Sequence, residues 1–149
     1  MRNSISIKAI LLGFVTDVVG SMAFSIAFPL LLAIILSMTG YSGDRLEPRL
    51  LEVVKSKPYV MLSVLSGLGF TLLGGYVAGR LAKSGEYFHS GVVGLLNILF
   101  GLFIIGLLKE WYQILAFILV FPAAVVGGHL AKQKKKSLPP EKPSPSELH

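Results

Sequence analysis

Five titratable residues lie inside or beside long apolar runs of this chain: Asp17, Arg80, Glu86, His89 and His129. An acid within such a run costs about 3 kcal/mol or more to insert if it faces lipid, so Asp17 must face protein or water. Intramembrane acids often bind protons or ions, and a histidine or arginine could act as the partner of Asp17. The alternative is a structural ion pair in which Arg80 neutralises Asp17 and joins two helices, and we favour this pair.

The depths of these residues in their apolar runs indicate whether they could form one site. Asp17 lies about one third of the way into its run, and Arg80, His89 and His129 are expected at similar depth, with Glu86 nearer the surface. Glu86 and His89 are three residues apart and share a helix face. Their side-chain types would suit zinc, but the histidine spacing matches no helical metal motif. Cysteine is absent, and so are a Ser-His-Asp arrangement, a P-loop and a dinucleotide fingerprint. The sequence therefore predicts no metal, no cofactor and no enzymatic activity.

The elements that must position these residues are four apolar runs. The chain has 149 residues, of which 15% are charged, against about 25% in soluble domains. A mainly apolar run of about 18 or more residues predicts a transmembrane helix. The four predicted helices cover about residues 7–38, 58–83, 87–108 and 111–131. Short turns between the last three make neighbouring helices antiparallel. We predict an all-α, integral membrane four-helix bundle over residues 1–131, followed by a disordered, basic, proline-rich tail over 132–149.

The one sizeable loop, residues 39–57, contains a predicted amphipathic helix. Apolar residues recur there at helical spacing with charged residues between them: Leu46, Leu50, Val53 and Val54 alternate with Arg45, Arg49, Glu52 and Lys55. This pattern is typical of a short helix lying at the membrane surface. A gate or a docking element is the functional alternative to a segment that simply rests on lipid headgroups.

Small residues recur every four positions in two of the predicted helices. The second helix carries Ser63, Gly67, Thr71, Gly75 and Gly79, and the first carries Gly13, Asp17, Ser21, Ser25 and Pro29. The third adds Ser90, Gly94, Asn97 and Gly101. Such spacing lets helix backbones approach closely, and this drives packing inside a membrane. The pattern predicts a tightly packed bundle, and it would equally serve a homo-oligomer or a larger membrane complex.

The basic residues indicate the orientation and one partner. With four spans both termini share a side, and nine of the 14 Lys and Arg residues fall on it. Both termini are therefore expected in the cytoplasm. Four lysines follow the last helix directly: Lys132, Lys134, Lys135 and Lys136. We expect them to anchor the topology and to contact anionic lipid headgroups. The net charge of +6 lies at the ends of apolar runs, so it does not indicate nucleic-acid binding.

A resemblance supports the same architecture. Residues 74–80 (GGYVAGR) and 86–94 (EYFHSGVVG) resemble segments of small uncharacterised four-span bacterial membrane proteins. In those proteins a glycine-rich second helix ends in a basic residue, and a His-x-Gly-type segment opens the third. The resemblance implies the bacterial cytoplasmic membrane and four helices, and it implies no activity. The favoured function is a structural or accessory membrane subunit. The alternative is a small proton-coupled or ion-conducting transporter centred on Asp17.

Overall fold

The computed structural model describes residues 5–105 and 111–137, and every element in that part of the chain is helical. The helices are α1 (Ile7–Met38), α2 (Leu46–Val54), α3 (Lys57–Leu81), α4 (Glu86–Ile105) and α5 (Trp111–Ser137). A 3₁₀ turn at Gly43–Arg45 precedes α2. All but α2 contain a segment long and apolar enough to cross a membrane. The predicted all-α membrane bundle with one surface helix is therefore confirmed.

The four long helices form a bundle in which one diagonal pair of helices is in contact and the other pair is not. α3 and α4 contact each other and both remaining long helices. In the described part of the chain, α1 and α5 have no Cα atoms within 8 Å of each other. α1 and α5 therefore lie on opposite sides of the α3–α4 pair.

Glycine permits the closest contacts that α3 makes. A Cβ atom on Gly75 would lie 2.8 Å from the Ala124 Cα atom and would also overlap the Ala124 carbonyl oxygen. From the other side, a Cβ atom on Gly127 would overlap the Leu72 carbonyl oxygen. Against α1, a Cβ atom on Gly13 would lie 2.6 Å from the Gly74 carbonyl oxygen. The backbone of α3 thus touches the backbone of α1 on one side and that of α5 on another, as small residues allow in membrane helices.

One end of α1 projects beyond the start of α3. The Phe28 ring lies 5.5 Å from the ring of Tyr59, near the start of α3. The ten later residues of α1, about 15 Å of helix, therefore extend past that start, and α1 also contacts α2. Pro29 lies within α1, which remains one continuous helix from Ile7 to Met38.

The last helix is longer than the apolar run predicts. α5 continues to Ser137, so the lysines at 132–136 are helical and do not belong to a disordered segment. Lysine is a good helix former, and cations near a helix C-terminus are favourable. The Lys135 Nζ atom also donates to the Ala82 carbonyl oxygen and lies 3.2 Å from the Glu86 carboxylate, which fixes this extension. Residues 106–108 of the predicted third helix, and 138–149 of the predicted tail, lie outside the described residues.

Candidate functional site: a carboxylate inside the bundle

Asp17 is buried at the contact of α1 with α3 and α4, with 4% of its surface exposed. Asn97 on α4 donates an amide N–H to Asp17 Oδ2. Ser21, one turn further along α1, donates its hydroxyl to Asp17 Oδ1 at 3.2 Å. Thr71 on α3 is also buried and lines the same cavity as Asp17. Helices α1 and α4 therefore supply uncharged donors to one acid, and α3 adds a hydroxyl-bearing residue to the same cavity wall.

The predicted ion pair between Asp17 and Arg80 is wrong. Arg80 is exposed and donates to the Tyr76 hydroxyl at 3.1 Å, one turn back on the same helix. Within residues 5–105 and 111–137, Asp17 takes part in no salt bridge. The reason is the direction of Arg80 as well as its depth. Gly74, where an added Cβ atom would lie 3.0 Å from the Asp17 Cβ atom, precedes Arg80 by six residues, or about 9 Å along α3. Arg80 also lies on the exposed side of α3, away from the buried residues Gly74 and Ala78 that face α1.

Asp17 lies close to the middle of the bundle. It follows the start of α1 by ten residues, about 15 Å, which is half of the ~30 Å hydrocarbon core. The expected depth of one third came from dividing the whole length of α1, which includes its projecting end.

A cavity of about 300 Å³ adjoins the carboxylate, and all four long helices line it. Its polar residues are Asp17, Ser21, Thr71 and Asn97, but almost all of the surface that lines it is apolar. The rest of the wall is apolar or glycine: Val18, Met22, Gly67, Leu68, Phe100, Gly101, Ala116, Phe117 and Val120. The site is thus an acid on the wall of a largely apolar cleft that is open on one side.

His89 is part of a different contact, at the end of the bundle. It is 2% exposed, and its Nε2 atom accepts the Ser6 backbone N–H at 2.9 Å. Its Nδ1 atom lies 2.9 Å from the Gly85 carbonyl oxygen. A carbonyl oxygen can only accept and an N–H can only donate, so this imidazole is neutral with its proton on Nδ1. His89 therefore joins the start of α1 to the first turn of α4.

His129 and Glu86 lie at the same end as His89 but have separate partners. The His129 Nδ1 atom is 2.7 Å from the Tyr87 hydroxyl, and its Nε2 atom is 2.7 Å from the Gln133 amide nitrogen. Glu86 pairs with Lys135 as described above. In the described ranges no three His, Asp or Glu side chains form a cluster that could hold a metal ion. The structure does not bring Asp17, Glu86, His89 and His129 together.

The predicted packing residues divide into two groups. Gly13, Gly75 and Gly79 are buried at helix contacts, and a Cβ atom on Gly79 would lie 3.0 Å from the Gly128 Cα atom. Gly67 differs, because a Cβ atom there would meet nothing within 4 Å, and the residue lines the cavity. Ser63, one turn before Gly67, is half-buried. α3 is therefore tightly packed toward its Arg80 end and open around Gly67.

Among the basic residues that follow the last apolar run, Lys132 and Lys135 have contacts with other helices. The Lys132 Nζ atom lies 4.8 Å from the centre of the Tyr87 ring. Lys134 and Lys136 are exposed on the last turn of α5. These contacts place the lysines beside Ala82, Glu86 and Tyr87, at one end of the bundle.

The four-residue spacing places Asn97 in a packing stripe and does not indicate that it is the partner of Asp17. The sequence does contain an indication of this pairing, because Asn97 has the one polar side chain in the otherwise apolar stretch from 91 to 105. It follows the start of α4 by 11 residues, nearly the same depth as Asp17 in α1. Matching the two depths would have paired them.

These features define a polytopic membrane protein with a buried carboxylate in the middle of a four-helix bundle. Comparison of the chain with protein-family models, with curated proteins and with solved structures finds no match.

Proposed function

We propose that this protein binds a proton or a small cation at Asp17 and moves it across the membrane. One observation carries the proposal: the acid lies in the middle of the bundle, beside a cavity that all four long helices line. Every partner of Asp17 among the described residues is uncharged, so protonation or a bound cation must supply any neutralising charge. An unneutralised charge is costly at that depth.

The arrangement of the partners supports reversible binding. Asn97 and Ser21 donate to an ionised carboxylate, and both can reorient when the acid is protonated, since each also has acceptor oxygens. A salt bridge to Arg80 would have removed this freedom by neutralising the acid permanently. The amide and hydroxyl partners therefore favour transport over the purely structural role that a salt bridge would have given Asp17.

The test is proton flux into liposomes that contain the purified protein and a trapped pH indicator. The original chain is expected to dissipate an imposed pH gradient, and Asp17→Asn is expected to abolish this flux. Asparagine keeps the shape and one acceptor oxygen, so the folded yield should stay nearly unchanged. Asp44→Asn, on the exposed 3₁₀ turn, is the matched control and should transport normally. Equal flux through the Asp17→Asn and original proteins would refute the proposal.

A structural or accessory subunit is the second candidate, and the projecting end of α1 favours it. α1 has 32 residues, or about 48 Å of helix, and exceeds the ~30 Å hydrocarbon core. Its end carries exposed apolar side chains, including Ile34 (58%) and Met38 (82%). A second copy or a larger complex would cover them. Native mass spectrometry tests this, because Ile34→Lys should then convert a complex to monomers, while a monomeric original chain excludes self-association.

The location and orientation belong to the same proposal. We place the protein in a bacterial cytoplasmic membrane with both termini inside, as the nine-to-five distribution of Lys and Arg favours. Lys134 and Lys136 would then reach anionic headgroups of the inner leaflet. A reporter fused after Lys136 should be active only if cytoplasmic, and one inserted at Gly43 only if periplasmic. Finding both positions in one compartment would contradict the four-span topology.

A further inference from the structure

The wall of the central cavity limits what can occupy it beside the carboxylate. Its polar groups all belong to the cluster around Asp17, and the remaining wall is aliphatic, aromatic or glycine. The volume of about 300 Å³ is roughly ten times the ~30 Å³ share of one water molecule in the liquid. It also reaches the lower end of the ~300–1,000 Å³ range of small-molecule sites. The cavity is therefore larger than a bare inorganic ion requires.

The chemistry of the wall selects a particular class of ligand. An inorganic cation needs oxygen ligands around it, whereas here almost all of the lining surface is apolar. The wall includes Phe100 and Phe117, and aromatic rings pack against apolar groups and attract quaternary ammonium groups. We infer that the cavity binds a small lipophilic organic monocation, with its charge toward Asp17 and its apolar part against the phenylalanines. This inference rests on the proposed function and names its substrate class.

Competition at Asp17 would couple the movement of protons to the movement of organic cations. The carboxylate carries one negative charge, so it holds either one proton or one monocation. One proton leaves Asp17 for each cation that binds, and the net charge of the site is the same in both states. When such a cation is present the protein would exchange it for protons, and when it is absent the carboxylate would carry protons alone.

The open space around Gly67 supplies a selective perturbation. A Cβ atom added at Gly67 would meet no atom within 4 Å, and the residue lines the cavity, so Gly67→Leu should fold and exclude the cation. Gly69 is the matched control, because its added Cβ atom also meets nothing within 4 Å, yet the residue is exposed and lies outside the cavity wall. The two substitutions are chemically identical and two residues apart.

The experiment is calorimetric titration of the protein in lipid nanodiscs with benzyltrimethylammonium, after subtraction of the signal from empty nanodiscs. We expect saturable binding that weakens as the pH falls, by at most tenfold per pH unit, because protons compete for Asp17. Gly67→Leu should weaken binding at least tenfold while Gly69→Leu leaves it unchanged, and Asp17→Asn should abolish it. The neutral isostere neopentylbenzene should bind at least tenfold more weakly than the cation.

The outcomes separate this inference from the proposed function. Equal binding by the Gly67→Leu and Gly69→Leu proteins would overturn it, because the cavity would not be the site. Equal binding of the cation and its neutral isostere would overturn it too, since the cavity would be only an apolar space of the kind lipid chains fill. Absence of cation binding with proton flux intact would refute the organic ligand alone. Loss of both would refute the proposed function as well.

Discussion

Replacing Gly75 with alanine should force α3 and α5 apart. The added methyl carbon would stand 2.8 Å from the Ala124 Cα atom and overlap the Ala124 carbonyl oxygen. Ordinary van der Waals contact begins near 3.4 Å. Both obstructing atoms belong to the backbone, so no rotamer change relieves the overlap and the helices themselves must move. Overpacking of this kind costs about 1–3 kcal/mol, and we expect Gly75→Ala to lower the free energy of unfolding by that amount.

The assay is reversible unfolding in mixed micelles of a mild detergent and sodium dodecyl sulfate, followed by the fluorescence of the single tryptophan, Trp111. Gly69→Ala is the control, because it makes the same chemical change on the same helix in open space. The gain in helix propensity from glycine to alanine is common to both variants and cancels in their comparison. Equal stability of the Gly75→Ala and Gly69→Ala proteins would show that close backbone contact does not hold α3 against α5.

A double variant sharpens this prediction. Gly127→Ala should be destabilising for the same reason, since its added carbon would overlap the Leu72 carbonyl oxygen from the opposite helix. Both changes widen one interface, so the combined loss in Gly75→Ala/Gly127→Ala should be smaller than the sum of the two single losses. Strict additivity would mean that the two glycines act on independent contacts.

Three further predictions use other contacts. Asn97→Ala should lower stability by about 1–3 kcal/mol, because Asp17 loses its amide donor; an unchanged unfolding curve would argue against this hydrogen bond. His89→Phe should speed hydrogen exchange at the first turn of α1, because the Ser6 N–H loses its acceptor, and unaltered exchange there would contradict the contact. Lys135→Gln should lower the free energy of unfolding by up to about 1 kcal/mol, since Lys135 pairs with Glu86. Lys136→Gln, at an exposed position, should leave it unchanged. Equal unfolding midpoints for these two variants would remove the role of the Lys135 contacts.

The helices and their order could be predicted from the sequence because each spanning helix must satisfy its own backbone within an apolar run. α1, for example, occupies residues 7–38 as the run indicates. The amphipathic spacing of Leu46, Leu50 and Val53 likewise predicted α2. The end of α5 was missed, since the basic residues from 132 to 136 close the apolar run but do not end the helix.

The partners at the candidate site were not predictable in the same way, because they depend on how far each helix is displaced along its neighbours. The depth of Asp17 was judged within α1 alone, and the projecting end made it seem too shallow. Arg80 then looked like a partner and Asn97 did not. Residue spacing also could not separate Gly75, which touches another backbone, from Gly67, which faces the cavity. Both glycines belong to the same series of small residues spaced four apart, so the spacing does not distinguish them.

The distance in sequence between Asp17 and Asn97 has a consequence for how the chain is made. The two residues are 80 positions apart, and a ribosome adding ~5–20 residues per second needs about 4–16 s to cover that interval. Throughout it the α4 partner of Asp17 does not exist. The first helix must therefore enter the bilayer with its acid protonated, or held by water or by the insertion machinery, and its final hydrogen bond forms only when the third spanning helix arrives.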